Sequence, residues 1–151
     1  GIKPGAYGLW FSLVMIGYMA AAGIAGKLID YVDMRWLIRF GSITVALSGL
    51  VMLGFAVAEI NHVLAVVVPM MFFMVGLAIL LPQTTSASLT PFPRNAGAAS
   101  SLQGFIQNSM AAVVSALLST FADGSSIPMA TAIALCGLAA AATYVLYIRR
   151  L

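Results

Sequence analysis

Away from its few charges, the chain groups its polar chemistry in two places. The run Pro82-Gln83-Thr84-Thr85-Ser86-Ala87-Ser88 follows a proline inside a long apolar segment, and Gln103, Gln107 and Asn108 fall inside another. Amides and hydroxyls of this kind either orient a bound molecule in a cavity or hydrogen-bond between helices, and the residue types alone allow both. Tyr18 adds a phenol in the middle of a third apolar stretch. No serine–histidine pair, paired aspartates or metal-ligating cluster accompanies them, so neither catalysis nor a metal or other cofactor is expected.

The elements that must hold these residues follow from composition. Hydrophobic residues make up 62% of the chain and charged residues 7%, where a soluble domain carries roughly 25% charge. So little charge cannot keep a folded surface in water. The uncharged runs 4–26, 40–58, 60–93, 95–122 and 124–148 are each close to the roughly 20 residues a helix needs to cross a bilayer core. Barrel strands alternate over about ten residues, and these runs do not. The expected class is therefore an all-α integral membrane protein with five transmembrane helices at about 5–30, 35–59, 62–90, 95–121 and 128–149. Asp33 is positioned to cap the second helix. Pro91 and Pro93 end the third, and Asp123-Gly124-Ser125-Ser126 before Pro128 reads as a turn into the fifth. A straight third helix would be about 43 Å long at 1.5 Å per residue, beyond a bilayer core of about 30 Å. Pro69 and Pro82 are expected to kink it, or part of it passes the lipid.

Threading the chain back and forth places Lys27, Arg35, Arg39, Arg94, Arg149 and Arg150 on one side, leaving Lys3 as the only basic residue on the other. Short basic loops stay in the cytoplasm. The expectation is a multi-pass protein of the inner (plasma) membrane with residue 1 outside and residue 151 cytoplasmic. Tyr7 and Trp10, then Tyr31 and Trp36, then Tyr144 and Tyr147 fit aromatic belts at the interfaces. The net charge of +3 is explained by this topology and calls for no nucleic acid. A start at Gly1 and an odd number of helices read as a piece of a longer protein or a processed product.

No Asp, Glu, Lys, Arg or His falls in the middle of any expected helix, so the piece has no side chain of the usual kind for a proton pathway. Its expected substrate cavity is lined by Tyr18, Gln83, Thr84, Gln107 and Asn108, with apolar burial from Met15, Met19 and Met74 supplying most of the affinity. Gly97, Ser100, Gly104, Asn108, Ala111 and Ser115 share one arc of the fourth helix, and its small residues are expected to pack closely on a neighbour. Gly17, Ala21 and Ala25 form a second small-residue ridge on the first.

The run Pro91-Phe92-Pro93-Arg94-Asn95-Ala96-Gly97-Ala98-Ala99-Ser100-Ser101-Leu102-Gln103-Gly104-Phe105 resembles a signature of drug-resistance transporters of the bicyclomycin-resistance (Bcr/CflA) type, in the drug:proton antiporter branch of the major facilitator superfamily. Pro82 to Ser88 is similar to the polar run that precedes it there. Gly26-x-Leu28-x-Asp30 looks like a degenerate form of that superfamily's loop motif, departing from it at Tyr31, Asp33 and Met34. The resemblance covers the whole chain as helices eight to twelve of twelve, a partial C-terminal six-helix half whose first helix is missing. It implies alternating access, export of small amphipathic compounds, and proton coupling through the N-terminal half. It also implies a gating loop formed by Gly26, Asp30, Asp33 and Arg35. Import of a polar nutrient and a structural role in a membrane complex are the alternative functions.

Overall fold

The computed structural model describes residues 4–28, 31–60, 62–121 and 127–147. These form five α-helices: α1 (Pro4–Leu28), α2 (Met34–Val57), α3 (Val63–Leu89), α4 (Ala96–Thr120) and α5 (Ile127–Tyr147). Each expected helix is present, with ends within two residues of the sequence reading. The third runs unbroken through both Pro69 and Pro82.

Three of the helices, α2, α3 and α5, are long and apolar enough to cross a membrane. The apolar stretch described for α1, Ser12–Leu28, is shorter. The 25 residues of α4 are long enough, but Gln103, Gln107, Asn108 and its serines dilute their apolarity.

The helices are arranged around α2. It packs against α3 on one side and α5 on another, and α1 lies on α3. This arrangement is possible because α2 is lined with small residues where its neighbours cross. A Cβ placed on Gly41 would lie 2.8 Å from Leu80 Cγ and 3.1 Å from the Gly76 carbonyl oxygen. One placed on Gly76 would lie 3.0 Å from the Gly41 carbonyl oxygen. On the opposite seam, a Cβ on Gly49 would be 2.9 Å from Ala134 Cα, and one on Gly137 would be 2.8 Å from the Val45 carbonyl oxygen. Backbone meets backbone in both seams, the close approach by which membrane helices gain dispersion energy without a hydrophobic drive. The buried serines of α2 need no partner helix. Ser42 donates to the Ile38 carbonyl at 2.7 Å, and Ser48 to the Thr44 carbonyl at 2.8 Å.

Local chemistry sets the helix ends. Asp33 caps α2 as expected, its carboxylate accepting from the Arg35 backbone N–H at 3.0 Å. His62 caps α3, Nδ1 accepting from the Leu64 N–H at 3.3 Å. The end of α2 is a Schellman turn: Ile60 N–H donates to the Phe55 carbonyl and Glu59 N–H to the Ala56 carbonyl. Glu59 takes the left-handed position there, at φ 53°, which disfavours any residue with a Cβ. Glu59→Gly should therefore raise the thermal stability of the purified protein by about 1 kcal/mol. An unchanged or lower melting temperature would show that the turn is not held in this form. Asp33→Ala should lose about 1 kcal/mol, and Asp33→Asn very little. The same thermal measurement checks both.

Candidate functional site

The polar run of α3 points in two directions. Gln83 is buried, 1% exposed, on the side of α3 that also carries Ile79 and Leu80, and its Nε2 has no hydrogen-bond partner. Thr84, its neighbour in sequence, is exposed and returns its hydroxyl to the Leu80 carbonyl at 2.9 Å. Thr85, the next residue, and Ser88, one turn on, face α4. Ser88 donates to Gln103 Oε1 at 3.0 Å, and Gln103 Nε2 donates to the Thr85 hydroxyl at 3.4 Å. For Thr85 and Ser88, interhelical hydrogen bonding is thus the role observed. Gln103, which the sequence groups with Gln107 and Asn108, ties α4 to α3.

Below this tie lies a groove of about 510 Å³ between the end of α3, the 90–95 turn and the first half of α4. Ser88, Phe92, Leu102, Gln103, Gln107 and Met110 are among its lining residues. Its walls are apolar and its polar atoms are mainly amides. That volume is in the range of small-molecule pockets, roughly 300–1,000 Å³. Such a groove can bind an amphipathic molecule by apolar burial and orient it through Gln107, since both ends of the Gln103 amide are engaged by Thr85 and Ser88.

Of the five residues expected to share one cavity, only Gln107 lines this groove. Asn108, next to it, turns away and donates from Nδ2 to the Gly104 carbonyl at 2.8 Å within its own helix. Tyr18 is half-buried on α1, a helix without substantial contact to α4. Within this chain the five do not meet. Met15 and Met74 are half-buried and Met19 is exposed.

The small arc of α4 likewise has no neighbour inside the chain. No residue of α4 is buried, and a Cβ on Gly97 or Gly104 would meet nothing within 4 Å. Ser100 donates to its own helix at the Gly97 carbonyl, 2.9 Å away. The close helix contacts occur instead at Gly41, Gly49, Gly76 and Gly137. For α2 the signal is present in the sequence as Gly41 and Gly49, eight residues apart and so close to one face of the helix. The ridge of α1 does face its neighbours. Ala25 is buried against Leu37 and Ile79, and Gly17, Ala21 and Ala25 line an apolar cavity of about 520 Å³ with Trp36, Phe40 and Ile79.

Of the residues expected to form a gating loop, Gly26 is exposed with open space around it, and Asp33 acts as a helix cap. Arg35 is exposed on the first turn of α2. Asp30 lies outside the described residues, as do Asp123 and the side chains of Tyr7, Trp10 and Tyr147. Trp36 and Tyr31 are strongly exposed, 62% and 88%, as an interfacial belt requires. Among the described residues no group of His, Cys, Asp or Glu could hold a metal ion. No family model matches the chain, and no curated protein or solved structure matches it either.

Proposed function

We propose that this chain is part of a secondary active transporter of the major facilitator type that exports drugs or small amphipathic metabolites by proton antiport and alternating access. The observation that carries the reading is the groove between α3 and α4. It combines apolar walls with the amide side chains of Asn95, Gln103 and Gln107 and has a volume in the range of small-molecule pockets. The state of α4 supports it. A helix that exposes Gln107 and Asn108 and buries nothing is a poor fit to lipid tails on every side, but suits a wall between a watery cavity and further helices. On this reading the first helix of the half and the proton-carrying acids belong to another part of the protein. The chain lies in the inner membrane with residue 1 outside and residue 151 cytoplasmic, and Gly26, Asp30, Asp33 and Arg35 mark a cytoplasmic gate.

The test is expression of the whole gene in a bacterial host stripped of its own efflux pumps. A lipophilic cationic dye should accumulate to a lower level than in the empty host, and a protonophore should abolish the difference. Gln107→Ala should shift the relative export of different compounds while expression stays intact. Equal accumulation of dyes of every class, with the protein present in the membrane, would overturn the proposal. A uniform loss for all compounds that tracks a loss of folded protein would make Gln107 a packing residue instead.

A further inference from the structure

We infer that the cleft between the start of α2 and the end of α5 is a binding site for an anionic phospholipid. The inference goes beyond transport and depends only on the chain lying in a bilayer. The cleft has a volume of about 330 Å³ and is lined by Arg39, Ser42 and Ile43 from α2 and Ala141, Tyr144 and Val145 from α5. Because α2 begins at Met34 and α5 ends at Tyr147, Arg39 and Tyr144 lie near the same end of the two helices. Arg39 is about one and a half turns into α2, roughly 8 Å from its start. Helical side chains lean toward the N-terminus, so its guanidinium is carried back toward the interface. It lies 5.5 Å from the centre of the Trp36 ring, a cation–π contact with an interfacial tryptophan.

The cleft has a positive head and an apolar body. Among the described residues no carboxylate pairs with Arg39, and Asp33 is engaged in capping α2. The Ser42 hydroxyl donates to the Ile38 carbonyl, so the charged donor of the cleft is Arg39. Tyr144 packs against the core cluster of Ile38, Val45 and Leu80, which fixes it as the wall on the α5 side. Past the guanidinium, exposed Ile43 and Leu47 of α2 and Leu138 of α5 continue away from the interface. A soluble anion would satisfy the arginine and leave this strip bare. A phospholipid satisfies both, its phosphate accepting from Arg39 and one acyl chain lying along the strip. Basic pockets between helices at a cytoplasmic face are the kind that take anionic head groups.

Trp36 reports on the site directly. Trp10 and Trp36 are the two tryptophans of the chain, so Trp10→Phe leaves Trp36 alone. The full chain carrying that change is reconstituted into vesicles of phosphatidylcholine with increasing phosphatidylglycerol, one or the other lipid brominated on its acyl chains. Brominated phosphatidylglycerol should quench Trp36 as though bound about fivefold more tightly than brominated phosphatidylcholine. The preference should vanish in Arg39→Gln and survive in part in Arg39→Lys. Equal quenching by the two lipids, or a preference unchanged in Arg39→Gln, overturns the lipid site alone. Quenching by neither overturns it together with the membrane reading. Loss of the preference on adding millimolar inorganic phosphate would mean that the cleft takes a free anion, and would also overturn it.

Discussion

Leucine at Gly137 or Gly49 should leave little folded protein in detergent, the largest effect expected of any single substitution in the chain. Each glycine sits where α2 and α5 touch backbone to backbone. The Cβ alone would lie 2.8 Å from the Val45 carbonyl at Gly137 and 2.9 Å from Ala134 Cα at Gly49. Backbone cannot swing aside as a side chain can, so the two helices must separate and lose their dispersion contacts along the seam. Overpacking a well-packed interior costs about 1–3 kcal/mol, and this case belongs at or above the top of that range. Gly137→Ala should be intermediate. Gly97→Leu and Gly104→Leu should leave the isolated chain at wild-type stability, because nothing lies within 4 Å of either. They should lower yield only where α4 meets helices outside this chain. The readouts are the monodisperse fraction on size-exclusion chromatography and the melting temperature. Wild-type behaviour of Gly137→Leu would mean that α2 and α5 are not in contact as described.

Gln83→Leu should act in the opposite direction and stabilise the chain by about 1–3 kcal/mol. The side chain is buried and its Nε2 donor is unpartnered. An orphan donor in an apolar surrounding carries its full desolvation cost, and an apolar residue of similar size removes that cost. Gln83→Glu should destabilise strongly, since it puts a carboxyl in the same place. In the transporter proposed above, Gln83→Leu should likewise raise the melting temperature. A lower melting temperature for Gln83→Leu would show that the amide has a partner, such as a bound water, that leucine cannot replace.

The helix boundaries were legible because two independent signals coincided. The charges mark the links, and Asp33, Pro91, Pro93 and Pro128 mark the ends. His62 as a cap and Glu59 in a left-handed turn were not foreseen, because neither is the residue type usual at those positions. The packing was read less well. Small-residue arcs occur on α1, α2 and α4, and sequence spacing cannot say which of them finds a neighbour. Only packing separates Gly41 and Gly49, pressed against backbone, from Gly97 and Gly104, facing open space. The candidate site shows the same division. The sequence offers Tyr18, Gln83, Thr84, Gln107 and Asn108 as cavity residues, but position along a helix does not fix which way its face turns. Gln83 turns into the α2 side of α3, Gln107 lines the groove beside α4, and Asn108 binds its own backbone. Gln103, which ties α3 to α4, could not be ranked above its neighbours without the partner hydroxyls of Thr85 and Ser88.

In the proposed topology all five helices cross the bilayer, including α4, which is the least apolar of them. Single cysteines in a Cys136→Ser background test it most directly, placed at Glu59, Arg94 and Ser125 and probed with a membrane-impermeant maleimide in intact cells. Glu59→Cys and Ser125→Cys should label from outside, and Arg94→Cys only after the membrane is permeabilised. If Arg94→Cys and Ser125→Cys label from the same side, α4 does not cross, and the five-span account is wrong.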